Sequence, residues 1–175
     1  PASGLKGLKV WSAGCSSGQE PYTLSMVLAE YQERHPDFDY HILATDISIK
    51  ILQLAVRAVY PLDSAKDIPR ALMRKHMLKS KDPKKRLVKV AKLVREKVSF
   101  RRLNFMEPFR LDEPQDIIFC RNVVIYFDRP TQERLFAKFC SQLRPGGYLF
   151  IGHSESLSGM SLPLTQIIPT VFRRT

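Results

Sequence analysis

Near the start of this chain an apolar, strand-like run ends in a turn of small residues that opens a helix, and few folds accommodate that order. Leu8–Ala13 is short and apolar, and Gly14-Cys15-Ser16-Ser17-Gly18 follows it. Tyr22, Leu24, Met26, Val27, Leu28 and Tyr31 then recur at roughly helical spacing. A strand, a small-residue turn and an amphipathic helix form one βα unit. Pro21 falls in the first helical turn, where a missing N–H is tolerated, and Pro36 ends the helix. Tyr40–Thr45 repeats the pattern as a buried strand, with Asp46 at its end and Ser48 placed to cap a helix over Ile49–Val59. Two βα units in series with short loops predict a parallel, doubly wound sheet.

The pattern changes after Val59. Pro61–Arg74 is irregular with a helical tendency, and three short, charged, apolar segments follow: His76–Lys79, Arg86–Val90 and Lys92–Arg95. With a turn at Asp82-Pro83, they predict a small antiparallel insertion over residues 61–98, too small to be stable alone. One basic helix over Lys84–Val98 is the competing reading. The main sheet resumes with Val98–Leu103 and Asp116–Cys120, a helix over Thr131–Leu143 capped by Thr131, a turn at Pro145-Gly146-Gly147, and a strand at Tyr148–Gly152. Leu164–Ile168 and Val171–Arg174, broken by Pro169, read as an antiparallel hairpin at the edge.

The 175 residues, 44% of them hydrophobic, suit one core with a small insertion. No apolar run reaches the roughly 18 residues of a membrane span, and Pro1–Lys9 has no apolar leader. Cys15, Cys120 and Cys140 are too few and scattered for a disulfide framework, and no cluster has metal-ligand spacing. A cytoplasmic protein with reduced thiols and no metal is expected. From Lys79 to Arg102 eleven basic residues face two acids, Asp82 and Glu96, so this stretch carries most of the net charge of +11. Such a patch attracts acidic protein, nucleic acid or anionic lipid, or is simply a solvated face, and composition does not choose among them.

Three motifs carry chemistry. In Val10–Tyr22, Gly14 lets the backbone turn tightly and approach a ligand, although only Gly14 and Gly18 remain of a dinucleotide-type GxGxxG. Asp46 ends the second strand, where a carboxylate accepts hydrogen bonds from ribose hydroxyls. Arg121 and Asn122, in Phe119–Asp128, follow a buried strand at the carboxyl edge of the sheet, where open α/β folds bind ligands. A nucleic-acid amino-methyltransferase usually has a Pro-Pro-aromatic loop there, and this chain has no Pro-Pro.

In combination, WSAGCSSGQEPYTL, ILATDIS, FCRNVVIYFD and LRPGGYLFIGHSESL resemble the CheR-type chemotaxis receptor methyltransferases over nearly the whole chain. The resemblance implies a Rossmann-like class I methyltransferase sheet with an antiparallel final strand, and S-adenosylmethionine as cofactor, leaving as S-adenosylhomocysteine. It implies methyl-ester formation on glutamates of methyl-accepting chemotaxis receptors, by a monomer that binds no nucleic acid and does not insert into the membrane. Residues 1–60 and 99–175 would form the cofactor-binding domain and 61–98 the inserted β subdomain. Carried over by motif, Ala13, Gly14, Glu20, Asp46, Asn104, Phe105, Asn122 and Val123 would hold the cofactor, with Glu20 on its amino group and Asp46 on its ribose. Tyr126 and His153 match family positions near the reacting centre. Some family members dock a receptor pentapeptide through a glycine-rich loop of the insertion. The matching loop here, Lys79–Arg86, has no glycine, so independence of that tether is expected. The family's N-terminal helical domain, which adds threonine and arginine to the pocket, has no counterpart in this sequence, and weaker cofactor binding is the consequence expected. The alternatives are a non-catalytic cofactor-binding or receptor-interaction module and a nucleic-acid methyltransferase.

Overall fold

A computed structural model describes residues 7–175, and the reading of Pro1–Lys9 as lacking a leader lies mostly outside them. Five parallel strands, from one edge inward, make up most of a seven-stranded sheet: β1 (Leu8–Ala13), β2 (Tyr40–Asp46), β6 (Val98–Arg102), β7 (Gln115–Cys120) and β8 (Leu143–Ile151). A hairpin, β9 (Leu164–Ile168) and β10 (Val171–Arg174), completes the order β6-β2-β1-β7-β8-β10-β9, with β10 antiparallel to β8. The chain reverses direction across the sheet at β1, which pairs with β2 on one side and β7 on the other. The carboxyl ends of these strands therefore flank a crevice suited to a ligand. Helices α1 (Gln19–Arg34), α2 (Ile49–Arg57) and α5 (Arg129–Gln142) connect the strands.

The core divides into two clusters. One gathers Val10, Tyr22, Met26, Tyr40 and Ile42; the other gathers Trp11, Ile118, Phe136, Phe139 and Leu149. Alternate residues of β1 thus enter different clusters, as the period of a strand requires. Each large apolar side chain so buried contributes about 1.5–3 kcal/mol. All three cysteines are free and buried, and burial pushes the Cys15 thiol up to about 12, with Asp46 adding to the shift.

The insertion is a three-stranded antiparallel sheet, but its composition differs from the expectation. Its central strand is β5 (Leu87–Val90), flanked by β4 (Met77–Lys79) and by β3 (Val59–Pro61). Lys92–Arg95 is one helical turn (α4) rather than a strand, and no helix spans Lys84–Val98. The third strand comes from the segment expected to end α2. Ala58 takes a left-handed conformation (φ 54°), which stops the helix and frees Val59, Tyr60 and Pro61 to pair with β5. The irregular stretch forms a 3₁₀ turn at Leu62–Ala65 and α3 (Arg70–His76). The glycine-free loop between β4 and β5 closes through Arg86, which is itself left-handed (φ 43°) and paired with Asp63. The Pro145-Gly146-Gly147 turn is instead a break inside β8, where Gly146 has φ 77°.

Helix α5 begins two residues before Thr131. Its cap is Asp128, whose carboxylate accepts from the Thr131 N–H at 2.9 Å; the Thr131 hydroxyl first, and this backbone bond second, hold the carboxyl group below its ordinary range. Asp128→Ala is expected to lower the melting temperature by a few degrees at neutral pH. Because the folded-state pKa is depressed, this stabilisation is fully present above the ordinary value and is lost as the pH falls from there through the lower folded-state value. The two melting curves should therefore converge below about pH 4.

Candidate cofactor site

A cleft of about 360 Å³ opens at the carboxyl edge of the sheet beside the switch point. Its polar lining is Asp46, Asn104 and Asn122; Ile47, Leu103, Phe105, Met106, Val123, Tyr126 and Phe127 supply the apolar walls, and Gly14 the floor. An apolar, aromatic slot with a few converging polar groups suits a nucleoside.

Asp46 ends β2 half-buried. Its two oxygens accept from the Ser16 N–H at 3.0 Å and the Ser48 N–H at 2.9 Å, tying the β1–α1 turn to the start of α2. Ser48 caps α2 as expected, its hydroxyl accepting from Ile51 at 3.3 Å. A carboxylate has about four lone-pair sites, so Asp46 keeps acceptor capacity for two vicinal hydroxyls. Gly14 is left-handed (φ 78°), and a Cβ there would lie 2.3 Å from the Val123 side chain. Asn122 is also left-handed (φ 58°), a conformation that asparagine tolerates better than most residues. It carries the chain from the end of β7 into the cleft wall.

The other candidate residues fall into three groups. Asn104 folds its side chain into a local turn, accepting from the Met106 N–H and donating to Glu107, both at 3.0 Å. Phe105 borders the cleft while its ring packs edge-on against Trp11 and Phe139. Tyr126 stands at the rim, 81% exposed. Ala13 is buried at the end of β1 and does not line the cleft. Glu20 does not line the cleft. It lies in the first turn of α1, accepting from Ser12 Oγ at 2.8 Å and pairing with Arg121 at 3.4 Å, between the ends of β1 and β7. His153 is exposed on the loop after β8, outside the cleft.

Sequence reasoning missed Ile47 and Met106, exposed apolar residues that follow Asp46 and Phe105 directly, and it missed Glu155. The buried Glu155 carboxylate accepts from the backbone of Val123, Val124 and Gly152. The only signal for Glu155 is an acidic residue between strand and loop in GHSES. A second cleft of about 300 Å³ lies between α1 and the three-stranded sheet, lined by Tyr22, Met26, Tyr60 and Met77 among others. Apart from Gln19, Tyr22 and Thr23 on the first turns of α1, it shares no residue with the motifs above, and none with the cleft at the carboxyl edge.

A doubly wound sheet with an antiparallel final hairpin and a nucleoside-shaped cleft at the switch point defines an S-adenosylmethionine-dependent methyltransferase domain. The fold is shared with the glycopeptide N-methyltransferase MtfA, at a TM-score of 0.51 and 13% identity over 85% of this chain and 47% of that one. The description "CheR methyltransferase, SAM binding domain" matches residues 2–171, and the chain belongs to that family. It is 43% identical to the chemotaxis protein methyltransferase of Borreliella burgdorferi, over 95% of this chain and 58% of that protein. It is 37% identical to chemotaxis protein methyltransferase 2 of Pseudomonas aeruginosa, over 94% of this chain and 59% of that protein. The chain thus spans somewhat more than half the length of these relatives. Its cofactor is S-adenosylmethionine, and the cleft has groups of the kind that cofactor needs: a carboxylate with spare lone pairs, an apolar slot, and a glycine floor.

Proposed function

We propose that this chain is the catalytic part of a cytoplasmic methyltransferase that esterifies glutamate side chains of chemotaxis receptors. The observation that carries this reading is Asp46 at the carboxyl end of β2, half-buried in the cleft with lone pairs to spare. In this reading Asp46 holds the ribose hydroxyls, while Ile47, Leu103, Phe105 and Met106 sandwich the adenine. Asn104 and Asn122 offer amide groups at the ends of that slot, and Glu20, close to the Gly14 turn, receives the amino group. Residues 1–60 and 99–175 serve the cofactor, and residues 61–98 face the receptor. The glycine-free loop supports receptor engagement without a pentapeptide tether.

The bound cofactor supplies an electrophilic methyl group on a sulfonium. The nucleophile is a substrate carboxylate with an ordinary pKa of about 4.3, already ionised at neutral pH, so no general base is required of this chain. The work left to the protein is to align the carboxylate with the methyl group at about 3 Å and to exclude water. Val123, Phe127 and the exposed Tyr126 are placed to form that dry wall. Opposite charges vanish on the way to the transition state, so an apolar wall favours the step.

The test is S-adenosylhomocysteine binding by calorimetry. Asp46→Ala is expected to weaken it roughly ten- to a hundred-fold, the loss of one or two charge-assisted hydrogen bonds at about 1.5 kcal/mol each. Unchanged affinity would remove Asp46 from the site. Labelled methyl transfer to receptor glutamates then separates an enzyme from a binding module.

A further inference from the structure

Three backbone N–H groups from two separate loops converge on one buried carboxylate. Glu155 is 8% exposed. Its Oε1 accepts from Val123 at 3.0 Å and Val124 at 3.2 Å, and its Oε2 accepts from Gly152 at 2.6 Å. The first two donors belong to the loop after β7 and the third to the loop after β8. Burying a carboxylate is costly unless hydrogen bonds compensate, and charge-assisted bonds to backbone are among the strong ones. The arrangement depends on close approach: a Cβ at position 152 would lie 3.0 Å from Glu155 Oε2 and 3.2 Å from the Asn122 nitrogen.

The clamp reaches the cleft through one residue. Val123, held by Glu155, packs so tightly over Gly14 that no Cβ fits between them. The same loop brings Asn122, Val123, Tyr126 and Phe127 to the cleft, whereas Glu155 itself does not line it. We propose that Glu155 is a positioning residue for methyl transfer, fixing the loop over residues 121–127 so that Asn122, Val123 and Tyr126 meet the cofactor and the incoming carboxylate. This rests on the cofactor reading above. Glutamine has the same shape but exchanges one acceptor oxygen for an NH₂ that would point at a backbone donor.

The decisive comparison is S-adenosylhomocysteine binding by wild type, Glu155→Gln, Asp46→Ala and Val88→Ala, the last a core truncation in the three-stranded sheet. Amide exchange of Val123, Val124 and Gly152 is followed by NMR in the same proteins. Glu155→Gln is expected to raise the Kd about tenfold and to remove the protection of those three amides. Val88→Ala should melt earlier yet keep its Kd within about twofold. Glu155→Asp, which keeps the charge but is one methylene shorter, should lie between wild type and Glu155→Gln, and it carries the test if the glutamine variant does not fold. An unchanged Kd in Glu155→Gln, or an equal loss in Val88→Ala, overturns the proposal. If Asp46→Ala loses binding while Glu155→Gln keeps it, the cofactor reading stands and this one falls; no binding by wild type removes both.

Discussion

Trp11→Ala is expected to destabilise the fold by about 3–5 kcal/mol, the usual cost of emptying a large aromatic site in a core. Trp11 is fully buried in β1, between β2 and β7. Its ring meets Phe105, Phe109 and Phe139 edge-on at centroid distances of 6.1, 5.7 and 5.2 Å, and its indole N–H donates to Thr45 Oγ1 at 2.9 Å. Truncation leaves a cavity that three rings cannot fill together, and it strips the buried Thr45 hydroxyl of its donor. At about 2–4 °C per kcal/mol for a domain of this size, the melting temperature should drop by roughly 10 °C or more. Circular dichroism is the suitable probe, because Trp11 is the only tryptophan. Trp11→Phe should recover a large part of the loss. Because Phe105 both touches Trp11 and borders the cleft, Trp11→Ala should also weaken cofactor binding. A loss below about 1 kcal/mol would mean that the aromatic cluster does not organise this half of the core.

Gly14→Ala is the second large effect, and it acts on the site directly. The left-handed backbone at position 14 costs a non-glycine residue about 1–2 kcal/mol. The added methyl would lie 2.3 Å from the Val123 side chain, and overpacking of this kind costs about 1–3 kcal/mol more. Val123 cannot retreat freely, because its amide is bonded to Glu155. We expect the fold to lose about 2–5 kcal/mol of stability, the sum of the two penalties, and S-adenosylhomocysteine affinity to fall at least tenfold as the turn and Val123 are displaced at the cleft. The check is a double-mutant cycle: Val123→Ala removes the obstructing methyl groups, so adding it to Gly14→Ala should restore part of the affinity. Strictly additive losses would show that backbone strain alone, and not the contact with Val123, governs position 14.

The five parallel strands, the three main helices and the terminal hairpin all carry local signals in the amino-acid order, either an apolar run of strand length or a helical stripe. Gly14 and Asp46 stand out because each sits at the end of such a run, where a doubly wound sheet places its ligand. The departures in the inserted segment share one cause. Val59–Pro61 continues the apolar pattern of α2 and becomes a strand only because Ala58 turns left-handed and β5 lies nearby to pair with it. Lys92–Arg95 is as short and apolar as a strand, yet it has no partner edge and closes into a helical turn. For segments of three or four residues the intrinsic preferences are too weak to decide, and pairing decides instead.

The cofactor site divides in the same way. The order of elements, the glycine turn and the carboxylate after the second strand follow from periodicities and residue types that act over a few positions, so the amino-acid order alone suffices to set them. Which groups close the cleft does not follow from it. Two of the three Glu155 bonds join residues 31 and 32 positions apart, and the contact of Val123 with Gly14 crosses more than a hundred. Only the parallel pairing of β1 with β7 and of β7 with β8 brings those loops to one edge, because hydrogen bonds and close contacts depend on distance in space and leave no periodic trace along the chain.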